Sequence, residues 1–136
     1  MNPFEFFIPQ NIIVGAGTLV RLPECAQKLG GTHAMLLSGP TLRKMGIVDK
    51  AAKYLEDAGM KVDIFTEIEA NPSVTTVEKA TTAFKEAGAD FIVALGGGSP
   101  MDVAKAVGVT AKYGGSITEY EGAHKVPGKI IPLIAI

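Results

Sequence analysis

Apolar positions along the chain follow two alternating rhythms. Short, nearly continuous apolar runs occupy Ala34 to Leu37, Val62 to Phe65 and Phe91 to Leu95. Their length and texture suit strands, and the last is apolar enough to be covered on both faces. Before each run, apolar residues recur every three or four positions: Leu19, Leu22, Ala26 and Leu29; Ile47, Ala51, Tyr54 and Leu55; Val77, Ala80, Phe84 and Ala87. Each set forms one stripe of an amphipathic helix. Each helical stretch ends at a glycine, and Gly30, Gly59 and Gly88 are spaced 29 residues apart. Glycine at such a place takes the left-handed conformation that closes a helix. Helix, glycine, strand at a constant interval is the sequence form of consecutive βαβ crossovers, whose right-handedness puts helices on both faces of one sheet.

The expected fold is therefore α/β: a doubly wound, mostly parallel, Rossmann-like sheet in three layers, with residues 1–136 forming one domain. The two ends depart from the repeat. Phe4 to Pro9 and Asn11 to Val14 are β-prone runs separated only by Pro9 and Gln10, too close for a crossover helix. They read as an N-terminal β arm, either extended or made of two short strands. A strand edge carrying Phe4, Phe6 and Phe7 would pair with another strand, such as one from a second subunit. At the other end Ile130 to Ile136 is a strand-like run interrupted only by Pro132. A buried strand is an unusual terminus, so further protein is expected after Ile136, the chain being a truncation or a natural short protein.

Composition narrows the function classes. An apolar fraction of 47% in 136 residues supplies one sizeable core. Thirteen basic against fourteen acidic residues, with no basic cluster longer than Arg43 and Lys44, argue against nucleic acid as a partner. No apolar run reaches the roughly 18 residues of a membrane span, and the N-terminus lacks a basic leader region. A soluble, cytoplasmic protein is expected. Cys25, the single cysteine, cannot form an internal disulfide, and its setting in an apolar-periodic stretch suits core packing better than reactivity.

The stretch richest in chemistry is Phe91-Ile92-Val93-Ala94-Leu95-Gly96-Gly97-Gly98-Ser99-Pro100-Met101-Asp102-Val103-Ala104-Lys105, a strand, a glycine turn and a helix. Three glycines remove the Cβ atoms that would keep a ligand off the backbone and permit positive φ values that aim N–H groups at one point. Ser99 is expected as N-cap, Pro100 at N1 and Asp102 at N3. The helix N-terminus then faces the glycines, where its free N–H groups and partial positive charge stabilise the phosphates of a dinucleotide. The alternative is a tight strand-to-helix turn with no ligand. A P-loop is excluded because no Gly-Lys-Ser/Thr follows. The common Gly-x-Gly-x-x-Gly spacing fails at Met101, and this loop follows a late strand rather than the first.

Gly96 to Lys105 resembles the cofactor signature of the iron-containing (group III) alcohol dehydrogenases. The resemblance extends to Phe6-Phe7-Ile8-Pro9, Ile13-Val14-Gly15-Ala16-Gly17, Asn71-Pro72-Ser73-Val74 and Ile131-Pro132-Leu133-Ile134-Ala135-Ile136. It implies a domain that binds NAD or NADP, followed by an all-helical domain whose one Asp and three His hold a divalent metal, usually iron. There the metal polarises the oxygen of a primary alcohol or aldehyde while hydride moves to or from the nicotinamide. It also implies a homodimer formed through the N-terminal arm. The implied cofactor-binding residues are Gly39, Pro40, Thr41, Leu42, Asn71, Gly96, Gly97, Gly98, Ser99 and Asp102. Among these, Ser99 contacts phosphate, Asn71 lies toward the nicotinamide, and Asp102 caps its helix, touches the cofactor, or does both. Ser116 to Thr118 are weaker candidates for the adenine or nicotinamide side.

Two departures qualify this expectation. No catalytic residue and no metal ligand can be placed on this chain: His33 and His124 are about 90 residues apart with no acidic partner at ligand spacing. Alone, the chain should bind nucleotide without redox chemistry. Gly39 stands where many family members have an Asp that hydrogen-bonds the adenosine ribose. Without that carboxylate the 2′-phosphate of NADP is no longer repelled, so NADP is expected to be tolerated or preferred, with Arg43 and Lys44 either pairing with the extra phosphate or standing as ordinary surface charges on the helix. The competing view is that Gly39 and Pro40 only turn the chain while Ser38 or Thr41 holds the ribose. Two other functions compete: a zinc-dependent glycerol dehydrogenase or dehydroquinate synthase-like domain, which Ser99-Pro100-Met101-Asp102 argues against, and a stand-alone nucleotide-binding module without catalysis.

Overall fold

A computed structural model of the chain describes Pro3 and residues 7–136. Four strands, β1 (His33–Ser38), β2 (Lys61–Phe65), β3 (Phe91–Leu95) and β4 (Leu133–Ala135), form one parallel sheet in the order β2-β1-β3-β4. Among the described residues five α-helices accompany them: α1 (Leu22–Lys28), α2 (Pro40–Lys44), α3 (Ile47–Asp57), α4 (Val74–Ala87) and α5 (Gly98–Tyr113). The expected parallel α/β fold is the observed one. Gly30, Gly59 and Gly88 all lie at positive φ, at 74°, 85° and 72°, so the regular glycine spacing did mark helix ends.

The alternation of side chains along a strand divides the core into two layers. Ala34, Leu36, Phe91, Val93 and Leu95 face α1 and α3, and pack with Leu22, Val48, Ala51 and Leu55. Met35, Leu37, Ile92 and Ala94 face the other way, against Val77, Ala80 and Phe84 of α4 and Val103, Ala104 and Val107 of α5. Buried positions 48, 51, 52 and 55 trace the apolar stripe of α3. All five residues of β3 are buried, because it lies inside the sheet with helices on both faces.

Outside the repeat, the last strand and Cys25 differ from expectation, and the described part of the arm forms neither of the two short strands that were one of its expected forms. Residues 7–14 form no strand, and Phe7 and Val14 are 80% and 90% exposed, so the described part of the arm is exposed and unpaired within the chain. Phe4 and Phe6 lie outside the described residues. The last strand begins only after Pro132 and is partly exposed rather than buried, since Pro132 lacks the N–H that a ladder requires and β4 is an edge. Cys25 is half-buried on α1 and belongs to neither core layer, so its expected place in the core is not observed.

Candidate functional site

In the strand order β2-β1-β3-β4 the chain leaves β1 toward one edge and returns to place β3 on its other side. The helices that follow β1 and β3 therefore lie on opposite faces: α3 packs in one layer, α5 in the other. A crevice opens between such diverging connections, at the carboxyl ends of the two strands. Ser38 pairs in register with Leu95, which puts Gly39 and Gly96 side by side at that crevice. A Cβ built on Gly96 would sit 3.5 Å from Leu42 Cδ1 and 3.1 Å from Pro100 Cγ. Gly39, Leu42, Gly96 and Pro100 are thus brought together from two segments more than 50 positions apart.

The glycine loop is built differently from the sequence expectation. Helix α5 begins at Gly98, with Gly97 as N-cap in extended conformation, so Ser99 is not the cap and Asp102 is not at N3. Two glycines accept the tight approach of strand to helix and let the helix start two residues early. Pro100 falls at N3, still among the first-turn positions whose N–H has no intrahelical acceptor, so its missing donor costs nothing. Of the three glycines only Gly96 lies at positive φ, 139°; Gly97 has φ −82°. Gly97 and Gly98 serve through space instead: a Cβ on either would meet nothing within 4 Å. No side chain caps α5, leaving its first-turn N–H groups and the positive end of a 16-residue helix dipole facing that opening.

The remaining predicted residues fall into distinct places. Pro40, Thr41 and Leu42 form the first turn of α2, with Gly39 as its N-cap. A Cβ on Gly39 would approach only the Ile68 carbonyl oxygen, at 3.9 Å, so the loop after β2 passes beside this strand end. Asn71 lies in that loop, exposed and at φ 54°, a left-handed conformation that asparagine tolerates better than most residues. Glu69 braces the loop: its carboxylate accepts from the Thr76 hydroxyl and from the Ser73 amide at 3.1 Å. The Thr76 hydroxyl, with the loop amides adding to it, lowers its pKa to about 2.

Some assignments fail. Ser38 cannot hold a ribose, because it is fully buried and its hydroxyl donates to the Leu95 carbonyl at 2.7 Å. Asp102 caps nothing; its nearest charged partner is Lys105, at 3.8 Å on the exposed face of α5. Ser116 to Thr118 follow the far end of α5, about 20 Å along the helix from Gly98, and Ser116 is engaged in a capping box with Glu119. They do not share the crevice. Arg43, offered as a phosphate partner, is paired with Asp49 at 3.2 Å, whereas Lys44 is exposed. His33 does open β1, but its ring nitrogen lies 2.6 Å from Asp63, an acidic partner that sequence spacing did not reveal because it comes from the neighbouring strand. His124 is exposed in a loop. Among the described residues no group of three or more His, Cys, Asp or Glu side chains is placed to hold a metal ion.

The family model described as iron-containing alcohol dehydrogenase matches residues 9–136. The NAD-dependent methanol dehydrogenase of Bacillus methanolicus is 33% identical over 132 residues, covering 97% of this chain and 35% of that protein. The NADPH-dependent butanol dehydrogenase of Clostridium saccharobutylicum is 40% identical over 104 residues, 76% of this chain and 26% of that protein. The crystal structure of a 1,3-propanediol oxidoreductase superposes with a TM-score of 0.93 at 35% identity, over 98% of this chain and 35% of the other. The chain thus spans about a third of the length of the relatives it matches. With the fold, the glycine loop and nearly the whole length in agreement, the chain belongs to the iron-containing alcohol dehydrogenase family.

Proposed function

We propose that residues 1–136 form the dinucleotide-binding domain of a metal-dependent alcohol dehydrogenase, in which hydride passes between a nicotinamide and a primary alcohol or its aldehyde. The observation that carries this reading is the open backbone at Gly97 and Gly98 in front of the uncapped α5, at the switch point of the sheet. That space fits a pyrophosphate: two negative phosphates reach the backbone unobstructed and meet N–H groups without the cost of displacing a capping side chain. Gly96, Gly97, Gly98 and Ser99 hold the pyrophosphate in this reading. Gly39, Pro40, Thr41 and Leu42 flank the adenosine ribose, and Asn71 stands toward the nicotinamide. Asp102, exposed and one turn beyond the loop, keeps only a peripheral place. The described residues do not fit a metal ion, so no step of the reaction is assigned to one here; the nicotinamide supplies the redox chemistry, and these residues bind and orient it.

The same reading gives the cofactor choice. With no carboxylate at Gly39 and open space before the Ile68 carbonyl, the 2′-phosphate of NADP is accommodated, and Lys44 rather than the paired Arg43 is its cation. Titration of the protein with both cofactors, followed by calorimetry, tests this: tighter NADP⁺ binding is expected, and equal or tighter NAD⁺ binding overturns the preference. Gly39→Asp should turn the ratio toward NAD⁺ by about tenfold or more, as one charge-assisted hydrogen bond is gained and one repulsion added.

The exposed apolar arm, with Phe7, Ile8, Ile12 and Val14 all accessible, supports a homodimer formed through it. Size-exclusion of Phe7→Ser against the unsubstituted protein checks this, a shift from dimer to monomer being the expected result. No helix among the described residues is long and apolar enough to cross a membrane.

A further inference from the structure

Between Leu95 and Gly96 lies the peptide on which the strand ends and the glycine loop begins. Its carbonyl and amide point in opposite directions across the plane, as in any trans peptide. Both are held. The Leu95 carbonyl accepts from the Ser38 hydroxyl at 2.7 Å, and the Gly96 amide donates to the carbonyl of Ile136, the residue after the last strand, at 2.9 Å. On the β4 side the partner is backbone; on the β1 side it is a side chain. The chain of β1 turns away there through Gly39 into Pro40, which has no amide hydrogen to offer. Ser38 is 0% exposed and is one of few buried polar residues among the described residues. A polar group in that position is costly unless bonded, and its bond is spent on the one peptide that launches the loop.

We propose that Ser38 is a positioning residue for cofactor binding: by clamping the Leu95–Gly96 peptide across the switch point, it sets the direction in which the Gly97 and Gly98 backbone faces a pyrophosphate. The inference rests on the dinucleotide reading of this loop. Gly96, at φ 139°, can rotate where other residues cannot. Without the clamp the loop pivots about that residue and the N–H groups lose their common aim. The fold retains β1 against β3 through their backbone ladder, so the defect is confined to the loop.

The test compares Ser38→Thr, which keeps the hydroxyl, with Ser38→Val, which has the same shape without it, in the protein as it exists. Both variants share any crowding from the added methyl, so their ratio isolates the hydroxyl. Dissociation constants for ADP, NADP⁺ and adenosine are measured by calorimetry or ligand-observed NMR. Ser38→Val is expected to bind ADP and NADP⁺ about tenfold more weakly than Ser38→Thr, with adenosine unchanged, because only the first two carry a pyrophosphate. A loss of stability with equal ADP binding in the two variants would overturn the positioning role and leave the dinucleotide reading intact. Failure of the unsubstituted protein to bind ADP or NADP⁺ would overturn both. If Ser38→Val does not fold, Ser38→Ala against Ser38→Cys supplies the same contrast of a side chain without and with a donor.

Discussion

The two rims of this one sheet solve the same problem in opposite ways. At the amino ends of the strands, polar groups are satisfied within the chain. The Asp90 carboxylate accepts from the Thr32 amide and hydroxyl and from the His33 amide, the two amides at 3.0 Å, and Asp63 meets His33 from the neighbouring strand. Burial alone would raise the Asp90 pKa, but the Thr32 hydroxyl and the His33 and Thr32 amides outweigh it and hold it below the usual value. At the carboxyl ends, Gly97 and Gly98 present backbone with nothing beside it and α5 begins without a side-chain cap. Even α4, which follows the strand farther from the switch point, is capped, by Ser73. A rim that bonds to itself closes a fold; a rim left open at the switch point is available to a ligand. Glycines follow the same division. A Cβ on Gly31, at the closed rim, would lie 2.5 Å from the Phe91 ring, so that glycine is there for packing.

The largest expected effect comes from filling the open rim. Gly97→Val places methyls where the pyrophosphate would lie and should weaken NADP⁺ binding by a factor on the order of 100, about 2.7 kcal/mol. Thermal unfolding should move only a few degrees, since a Cβ at this position meets no neighbour within 4 Å. If affinity survived, the site would have to lie elsewhere. Gly31→Ala is the converse: the aromatic ring of a buried residue must move, at a cost of about 1–3 kcal/mol of stability, while cofactor affinity per folded molecule stays the same. Should Gly31→Ala instead reduce affinity at full stability, the division between the rims would collapse.

Asp90→Ala gives a smaller loss of stability at neutral pH, about 1–2 kcal/mol after allowance for its exposure to solvent. Because the folded pKa of Asp90 is depressed, its contribution is complete above the unfolded value near 3.8 and disappears as the pH falls through the lower folded value. Denaturant titrations of both proteins should therefore converge in acid and separate at pH 7. A gap that widened toward acid would mean that the carboxylate destabilises the rim.

Periodicity disclosed β1, β2 and β3, the helices α1, α3 and α4 and the glycines that end them, because burial on both faces of β3 and on one stripe of α3 dictates residue type at every turn. The glycine loop was legible in another way: three consecutive glycines between an apolar strand and a helix mark a tight turn whose backbone is left open. What local pattern could not show was how strands from distant positions meet. Ser38 looked like a polar residue at a strand end, and only the pairing of Ser38 with Leu95 turns it into a buried clamp. Ser99 has the stronger intrinsic preference for an N-cap than Gly97, yet the helix begins earlier, because a glycine pair tolerates the tight departure from β3 and no competing bond holds the Ser99 side chain. The remoteness of Ser116 from the crevice follows from the length of α5, which a motif by itself does not measure.

The finest test of the contrast lies in the loop after β2, which belongs to the open rim but braces itself as the closed rim does. Glu69, bonded by the Thr76 hydroxyl and the Ser73 amide, has its pKa lowered to about 2. Glu69→Gln retains one acceptor oxygen but loses the charge that strengthens those bonds. A depressed folded pKa contributes stability that is present in full above the unfolded value near 4.5 and is lost as the pH falls through about 2. The melting temperature of Glu69→Gln should accordingly lie slightly below that of the unsubstituted protein from pH 7 down to about 4.5, and the difference should close below that, vanishing near pH 2. In the same variant the loosened loop would free Asn71 from its left-handed conformation at φ 54°. If Asn71 stands toward the nicotinamide, NADP⁺ then binds less tightly while ADP, which has no nicotinamide, binds as before. Equal weakening of both ligands would assign the Glu69 brace to the adenosine side of the crevice, where the Ile68 carbonyl meets Gly39.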